Sequence, residues 1–291
     1  MNLLLPVIKL FMPQEIPQTK QPGKESKMKE KPELIRSSYK GSNKLLDKVA
    51  LITGGDSGIG ASVAIHFAKE GADIAIVYLD EEKDAQDVKK HIELVGRKCL
   101  LIRTDLSKPE NLPQIVEKTL NKLKKINILV NNAAVQFPKE NLEEITYKQL
   151  EITFNTNILS FIMLTKEVLP HLTSGDSIIN TSSVTAYRGS DHLLDYSATK
   201  GAIVSFTRSL SQNLIKDGIR VNAVAPGPIW TPLIPATFRG KDLENFGKQS
   251  PMGRVGQPSE VGPSYVFLAS QDSSYMTGQV LHPNGGELIN G

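Results

Sequence analysis

Cys99 is the only cysteine among 291 residues, so it has no partner in the chain. A disulfide framework is therefore excluded, and a reducing compartment, the cytoplasm, is the expected location. Cys99 opens the apolar run Cys-Leu-Leu-Ile, where a thiol is ordinarily buried and inert. No stretch approaches the roughly 18 consecutive apolar residues that a membrane-spanning helix needs. No cluster of His, Cys, Asp or Glu has metal-ligand spacing, so no metal is expected. His66 and His91 fall on helical patterns, where a core or solvated imidazole is the ordinary reading. No internal repeat is visible. The body of the chain also lacks a basic stripe: residues 1–48 hold ten Lys+Arg and five Asp+Glu, leaving 24 basic and 26 acidic residues, a net of −2, for the rest. Nucleic acid and membrane are thereby set aside as partners.

With 40% hydrophobic and 22% charged residues, the chain is long enough to bury a sizeable core. Met1 to Met12 is apolar apart from Asn2 and Lys9, but it has neither the charged start nor the small-residue cleavage site of a secretory signal. Residues 13–44 are rich in Pro, Lys, Gln and Ser, a composition that buries little. Residues 1–44 thus read as an extended basic arm docked on the domain or on a neighbouring subunit, with a solvated tail the default for such a charge run. Residues 45–291 read as one catalytic domain. Strand patterns at 48–53, 73–78, 98–103, 127–131, 175–182, 218–224 and 279–282 alternate with helical patterns at 58–70, 81–95, 109–124, 146–172, 195–216 and 258–270. Such alternation predicts an α/β fold of the doubly wound, Rossmann-like kind, a seven-stranded parallel sheet flanked by helices on both faces. Residues 226–258 break the rhythm with Pro and Gly and read as a lid or substrate loop.

Chemistry concentrates in three stretches. The run Val49-Ala-Leu-Ile-Thr-Gly-Gly-Asp-Ser-Gly-Ile-Gly60 is a strand followed by a glycine turn that opens a helix. Gly54, Gly58 and Gly60 permit a tight turn and a close backbone approach to a pyrophosphate at that helix's N-terminus. The Gly-Asp-Ser-Gly segment is not a protease nucleophile here, because it lies between a strand and a helix with no fitting His and Asp upstream. Nor is the turn a P-loop, since Ala61-Ser62 follows Gly60 where Lys-Ser/Thr is required. The second stretch, Asn131-Asn-Ala-Ala134, ends another strand. In the third, Ser183 closes a buried strand, and Tyr196 and Lys200, four apart on a helix, project from one face. A phenol is a poor acid or base near neutrality, and a nearby ammonium lowers its pKa.

Together these motifs resemble the short-chain dehydrogenase/reductase family over about residues 45–289. The resemblance implies an oxidoreductase that moves a hydride between a nicotinamide coenzyme and a small carbonyl or alcohol, an aldehyde, ketone, sugar or polyol. It makes Tyr196 the general acid/base, Lys200 its assistant and a ligand of the nicotinamide ribose, and Ser183 the hydrogen-bonding partner of the reacting oxygen. Asn157 is the fourth catalytic residue, with Asn155 as fallback and a helix-bending or buried amide as the plain alternative. Coenzyme contacts are implied for Gly54, Asp56, Ser57, Gly58, Ile59 and Gly60. Further contacts fall to Tyr78, Leu79, Asp80, Asp105, Leu106, Asn132 and Ala133, and to Pro226, Gly227, Ile229 and Thr231 beside Tyr196 and Lys200. Asp105 has a turn-capping alternative. Tyr187, His192, Leu193 and Trp230 flank the site as candidate substrate-pocket residues. Asp80, Glu81 and Glu82 make a poor site for a 2′-phosphate, so NAD is the expected coenzyme and NADP the alternative. A dinucleotide-sensing regulator without chemistry is the competing reading. Such regulators typically lack the Tyr or the Lys, and both stand here. Family members commonly form homotetramers, and the apolar Val261, Tyr265, Val266, Phe267 and Leu268 agree with a helix used in assembly.

Overall fold

Each strand sends alternate side chains into two separate cores. In β1 (Val49–Thr53), Ala50 and Ile52 join one apolar cluster while Val49 and Leu51 join the other. The computed structural model describes residues 16–289; the Met1–Met12 run lies outside them. β2 (Asp73–Tyr78), β3 (Cys99–Arg103), β4 (Ile128–Asn131), β5 (Ser177–Thr181), β6 (Arg220–Val224) and β7 (Val280–Leu281) complete the sheet. Its order is β3-β2-β1-β4-β5-β6-β7, with every pairing parallel. Strand order reverses between β1 and β4, and a cleft opens there beyond the strands' carboxyl ends.

Helices cover both faces. α1 (Gly58–Lys69), α2 (Glu82–Leu94) and α10 (Pro258–Ala269) bring Phe67, Val88, Val261 and Tyr265 to the first core. α3 (Leu112–Leu123), α5 (Ser160–Val168) and α7 (Leu194–Leu214) bring Ile115, Leu164 and Leu214 to the second. Fully burying one such side chain stabilises by roughly 1.5–3 kcal/mol, so each helix is held mainly by its apolar stripe. α1 and α10 approach so closely that a Cβ on Gly262 would stand 2.5 Å from His66 Nδ1. His66 is itself a core residue, its Nδ1 2.7 Å from the Ser62 carbonyl. Val261, Tyr265, Val266 and Leu268 are all buried within their own subunit. Phe267 of the same helix is only partly buried against that core. Among the described residues, no helix is long and apolar enough to cross a membrane.

Two expectations change. The helix expected over 146–172 is continuous but not regular: a π turn over Asn155–Leu159 divides it into α4 (Tyr147–Phe154) and α5. From Ile16 onward the arm is not a solvated tail either. Met28 and Trp230 are buried in one apolar cluster, and the indole Nε1 donates to the Glu30 carbonyl at 2.9 Å. Farther on, the Glu33 carbonyl accepts from Ser259 N at 2.9 Å, and Glu70 accepts from the backbone N–H groups of Ser42 and Lys44 at 2.8 and 3.1 Å. The one-turn helix α6 (Thr185–Arg188) follows β5, and two short helices, α8 (Leu233–Thr237) and α9 (Gly240–Glu244), shape the 226–258 segment.

Candidate active site

The glycine turn leaves β1 with Gly54 at φ +62° and enters α1 with Gly58 at φ +51°, conformations that favour glycine. A Cβ on Gly60 would fall 1.9 Å from the Gly54 carbonyl oxygen, so the turn closes on itself only without one. Asn132 fixes this turn to its neighbours. Its backbone N–H donates to Thr53 Oγ1 at 2.8 Å, its Nδ2 reaches the carbonyls of Thr53 and Gly54 at 3.1 and 3.2 Å, and its Oδ1 accepts from Thr181 Oγ1 at 3.2 Å. One polar residue thus ties the ends of β1, β4 and β5 together and leaves the helix N-terminus facing the cleft.

At the other end, α7 presents Tyr196 and Lys200 toward the end of β5. Asp195 anchors the helix start, accepting from Tyr196 N at 2.9 Å, Thr153 Oγ1 at 2.8 Å and Gln149 Nε2 at 3.0 Å. Ser183 Oγ accepts from Thr185 N at 3.2 Å and stands near enough to the Tyr196 phenol to pull its pKa down. Lys200 Nζ donates to the Thr181 carbonyl at 2.9 Å and lies 5.3 Å from the centre of the Tyr196 ring. Burial pushes the Tyr196 phenol up to about 12, against the downward pull of Ser183. Burial also pushes the Lys200 ammonium down to about 7. The expected lowering of the phenol by Lys200 is therefore not the dominant effect in this state, because the ammonium is itself desolvated with no carboxylate beside it.

Both ends open into one cavity of about 1600 Å³. It is lined by Gly54, Asp56, Ser57, Gly58 and Ile59, by Tyr78 and Leu79, and by Asp105, Leu106, Asn132 and Ala133. Ser183, Tyr196, Lys200, Pro226, Gly227, Ile229 and Thr231 line it as well. Three residues from the same reading do not. Gly60 lies beneath the turn, and Asp80 is held from outside by lysines of the arm. Asn157 is buried on the π turn, accepting from Val135 N at 2.9 Å and donating to the Val135 carbonyl at 2.9 Å and to Thr199 Oγ1 at 3.2 Å. It holds the loop after β4 against α7, so the buried-amide alternative describes its side chain. Asp105 does what its capping alternative says, accepting from Ser107 N and Oγ at 2.9 and 2.7 Å.

His192 and Leu193 line the cavity, whereas Trp230 is core and Tyr187 packs edge-on against His282. The sequence reading missed Gln21, Pro22 and Gly23 of the arm, which form part of the wall, and Gln136, which meets Gln21 across it. No spacing or motif marks those residues, because their place depends on how the arm crosses the domain. A dinucleotide fits this arrangement. The turn is a cradle that a Cβ at Gly60 would fill, and the buried Glu81 lines the wall with its Oε1 lacking a hydrogen-bond partner. Among the described residues, no group of three or more His, Cys, Asp or Glu is arranged to hold a metal ion.

Residues 54–287 match a family model described as enoyl-(acyl carrier protein) reductase. Over 280 residues the chain is 56% identical to general stress protein 39 of Bacillus subtilis, covering 95% of this chain and 98% of that one. It is 53% identical to NADPH-dependent aldehyde reductase 1, chloroplastic, of Arabidopsis thaliana over 277 residues, 93% and 96% of the two chains. With glucose and ribitol dehydrogenase of Daucus carota it shares 49% identity over 287 residues, 97% and 98% of the chains. A solved short-chain dehydrogenase from Burkholderia cenocepacia, in complex with NADP, superposes with a TM-score of 0.79 at 30% identity, over 84% of this chain and 98% of that one.

Proposed function

The chain belongs to the short-chain dehydrogenase/reductase family of oxidoreductases, and from that premise we propose that it reduces a small hydroxylated aldehyde or ketone, or oxidises the matching polyol or sugar, with NADP(H). The observation that carries the reading is the convergence of Ser183, Tyr196 and Lys200 on the cavity that the glycine turn also lines. A nicotinamide coenzyme, when bound, supplies or accepts the hydride. Tyr196, protonated near neutrality, donates its proton to the nascent alkoxide and takes one back in the oxidative direction. Ser183 holds the reacting oxygen beside the phenol. Lys200 Nζ would hold the ribose hydroxyls as well as the Thr181 carbonyl, and its charge would lower the phenol toward a usable pKa.

The substrate class is supported by the cavity's polar side, where Gln21, Gln136, Asp191 and His192 offer donors and acceptors. The names of the aldehyde reductase and of the glucose and ribitol dehydrogenase point the same way. NADP(H) is preferred over the NAD expected from residues 80–82, because Asp80 is paired with Lys20 and Lys24, Glu82 accepts from Tyr78, and NADP and NADPH appear with the relatives. Assembly as a homotetramer belongs to the same proposal, with the exposed Tyr147, Ile152, Leu159 and Ile162 as the surface to be covered. A light-scattering mass near one 31.9 kDa chain would oppose it. The functional test is nicotinamide absorbance with both coenzymes against a panel of aldehydes, ketones, sugars and polyols. Turnover of hydroxylated carbonyls supports the reading; tight coenzyme binding with silence across the panel favours the dinucleotide sensor.

A further inference from the structure

The arm crosses the cleft as a strap pinned on both banks. On the substrate-loop side, Gln18 N donates to the Pro235 carbonyl at 2.7 Å, and Gln21 exchanges hydrogen bonds with the Gln136 backbone. Gly23 lies so close that a Cβ would stand 2.1 Å from the Pro232 carbonyl oxygen. On the β2 side, Glu25 N and Ser26 N donate to the Asp84 carboxylate at 2.7 and 2.8 Å, and Glu25 Oε2 accepts from Gly58 N at 3.1 Å. Between these anchors, Gln21, Pro22 and Gly23 wall the cavity next to the glycine turn, Tyr78 and Leu79.

Two ammonium groups come with the strap. Lys20 Nζ lies 3.1 Å from Asp80 Oδ2, and Lys24 Nζ lies 3.0 Å from the Asp80 carbonyl and 3.5 Å from its Oδ1. In sheets of this kind, the adenosine ribose of a dinucleotide lies at the end of β2. A carboxylate there accepts from the 2′-hydroxyl, and a cation pairs with a 2′-phosphate. Asp80 favours the hydroxyl most while its carboxylate is free, and here Lys20 takes its Oδ2 and Lys24 neutralises its charge from 3.5 Å. Glu82 accepts the Tyr78 hydroxyl at 2.5 Å. Glu81 turns inward, its Oε2 accepting from Asp80 N at 3.0 Å, and burial raises its carboxyl above the usual carboxylate range. Arg103 Nε donates to the Leu79 carbonyl at 3.2 Å and adds a third cation. Lys20, Lys24 and Arg103 thus bring three cations to the end of β2, where Asp80 and Glu82 are their carboxylate partners.

We propose that Lys20 and Lys24 are coenzyme-specificity residues, two arm-borne ammonium groups that receive the ribose 2′-phosphate of NADP(H). Asp80 is their partner when that phosphate is absent. The exchange costs little, because the Lys20 side chain is 73% exposed and an ion pair of that kind contributes little stability. It also replaces one carboxylate charge by about −1.5 to −2. The inference rests on the dinucleotide reading of the cavity, and its test does not require turnover.

Calorimetric titration of the full chain with adenosine 2′,5′-bisphosphate and with 5′-AMP separates the two claims. The wild type is expected to prefer the bisphosphate by about tenfold or more, roughly 1.4 kcal/mol, with a preference that shrinks as salt rises. Lys20→Ala/Lys24→Ala should bring the bisphosphate to within about twofold of 5′-AMP and leave 5′-AMP affinity unchanged, while Lys20→Arg/Lys24→Arg should keep the preference. Equal affinities in the wild type, or a parallel loss of both ligands in the Ala variant, would overturn the lysine assignment alone. A wild type that takes neither nucleotide would overturn the dinucleotide reading, and the inference with it.

Discussion

The two ends of the cleft are built by different means. At the reaction end, Ser183, Tyr196 and Lys200 come from one stretch of chain and are fixed by the end of β5, the start of α7 and the Asp195 anchor. At the adenosine end, the decisive charges come from residues far apart in the chain: Lys20 and Lys24 on the arm, Asp80 after β2, Arg103 on β3. The first end owes its order to local geometry and burial, the second to a strap laid across the domain. The reaction end should therefore respond to substitution all or none, whereas the adenosine end should respond in degrees and with salt.

Lys200→Ala should produce the largest effect. It removes the ammonium that serves both the phenol and the coenzyme ribose, so kcat/KM should fall by about 10³-fold or more with a clear rise in coenzyme Kd. A loss confined to kcat would show that Lys200 does not hold the coenzyme. Next in size is Asn157→Ala, which deletes three hydrogen bonds from a buried amide. The Val135 backbone groups left unpaired should cost about 1–3 kcal/mol, read as a lowered denaturant midpoint at constant slope. If stability held while kcat collapsed, Asn157 would belong to the chemistry rather than to the support of the loop after β4.

The smallest effect concerns the strap and pH. Burial raises Glu25 and Asp56 to about 7 each. Asp84 and Asp56 oppose the Glu25 charge, while Lys31 and the Gly58 N–H favour it. An acid whose pKa is higher when docked holds its proton more tightly in that state. Docking is therefore strongest below the ordinary carboxylate pKa and weakens as pH rises toward 7, levelling off above it. Hydrogen exchange of residues 18–31, corrected for its intrinsic pH dependence, should accelerate over that window, and Glu25→Gln should flatten part of the rise. Exchange that slows with pH would contradict the sign.

The same contrast explains how much could be read from the sequence. Strand and helix alternation, the glycine turn and the Ser183–Tyr196–Lys200 spacing were legible because a period of 2, a period of 3.6 and a four-residue helical offset are local properties. The π turn was only half legible: the weak helix formers Asn155, Thr156 and Asn157 allowed a bent helix, but the bonds of Asn157 to Val135 that accompany the turn are long-range. Trp230 lay beside the site in the sequence yet went to the core, because its indole found the Glu30 carbonyl 200 positions earlier. Asp80 was misleading for the same reason: its charge partners lie 56 and 60 residues away, and no pattern in the chain announces them.

The central claim is that Tyr196 moves the proton in a reaction this fold is built to perform. Replacing Tyr196 with Phe removes the transferable proton and little else. With the best substrate from the panel, and with chemistry shown to limit the rate, kcat should fall by roughly 10²–10⁴-fold while the Kd for coenzyme stays within about twofold. A variant that retained near-normal kcat under those conditions would contradict the account.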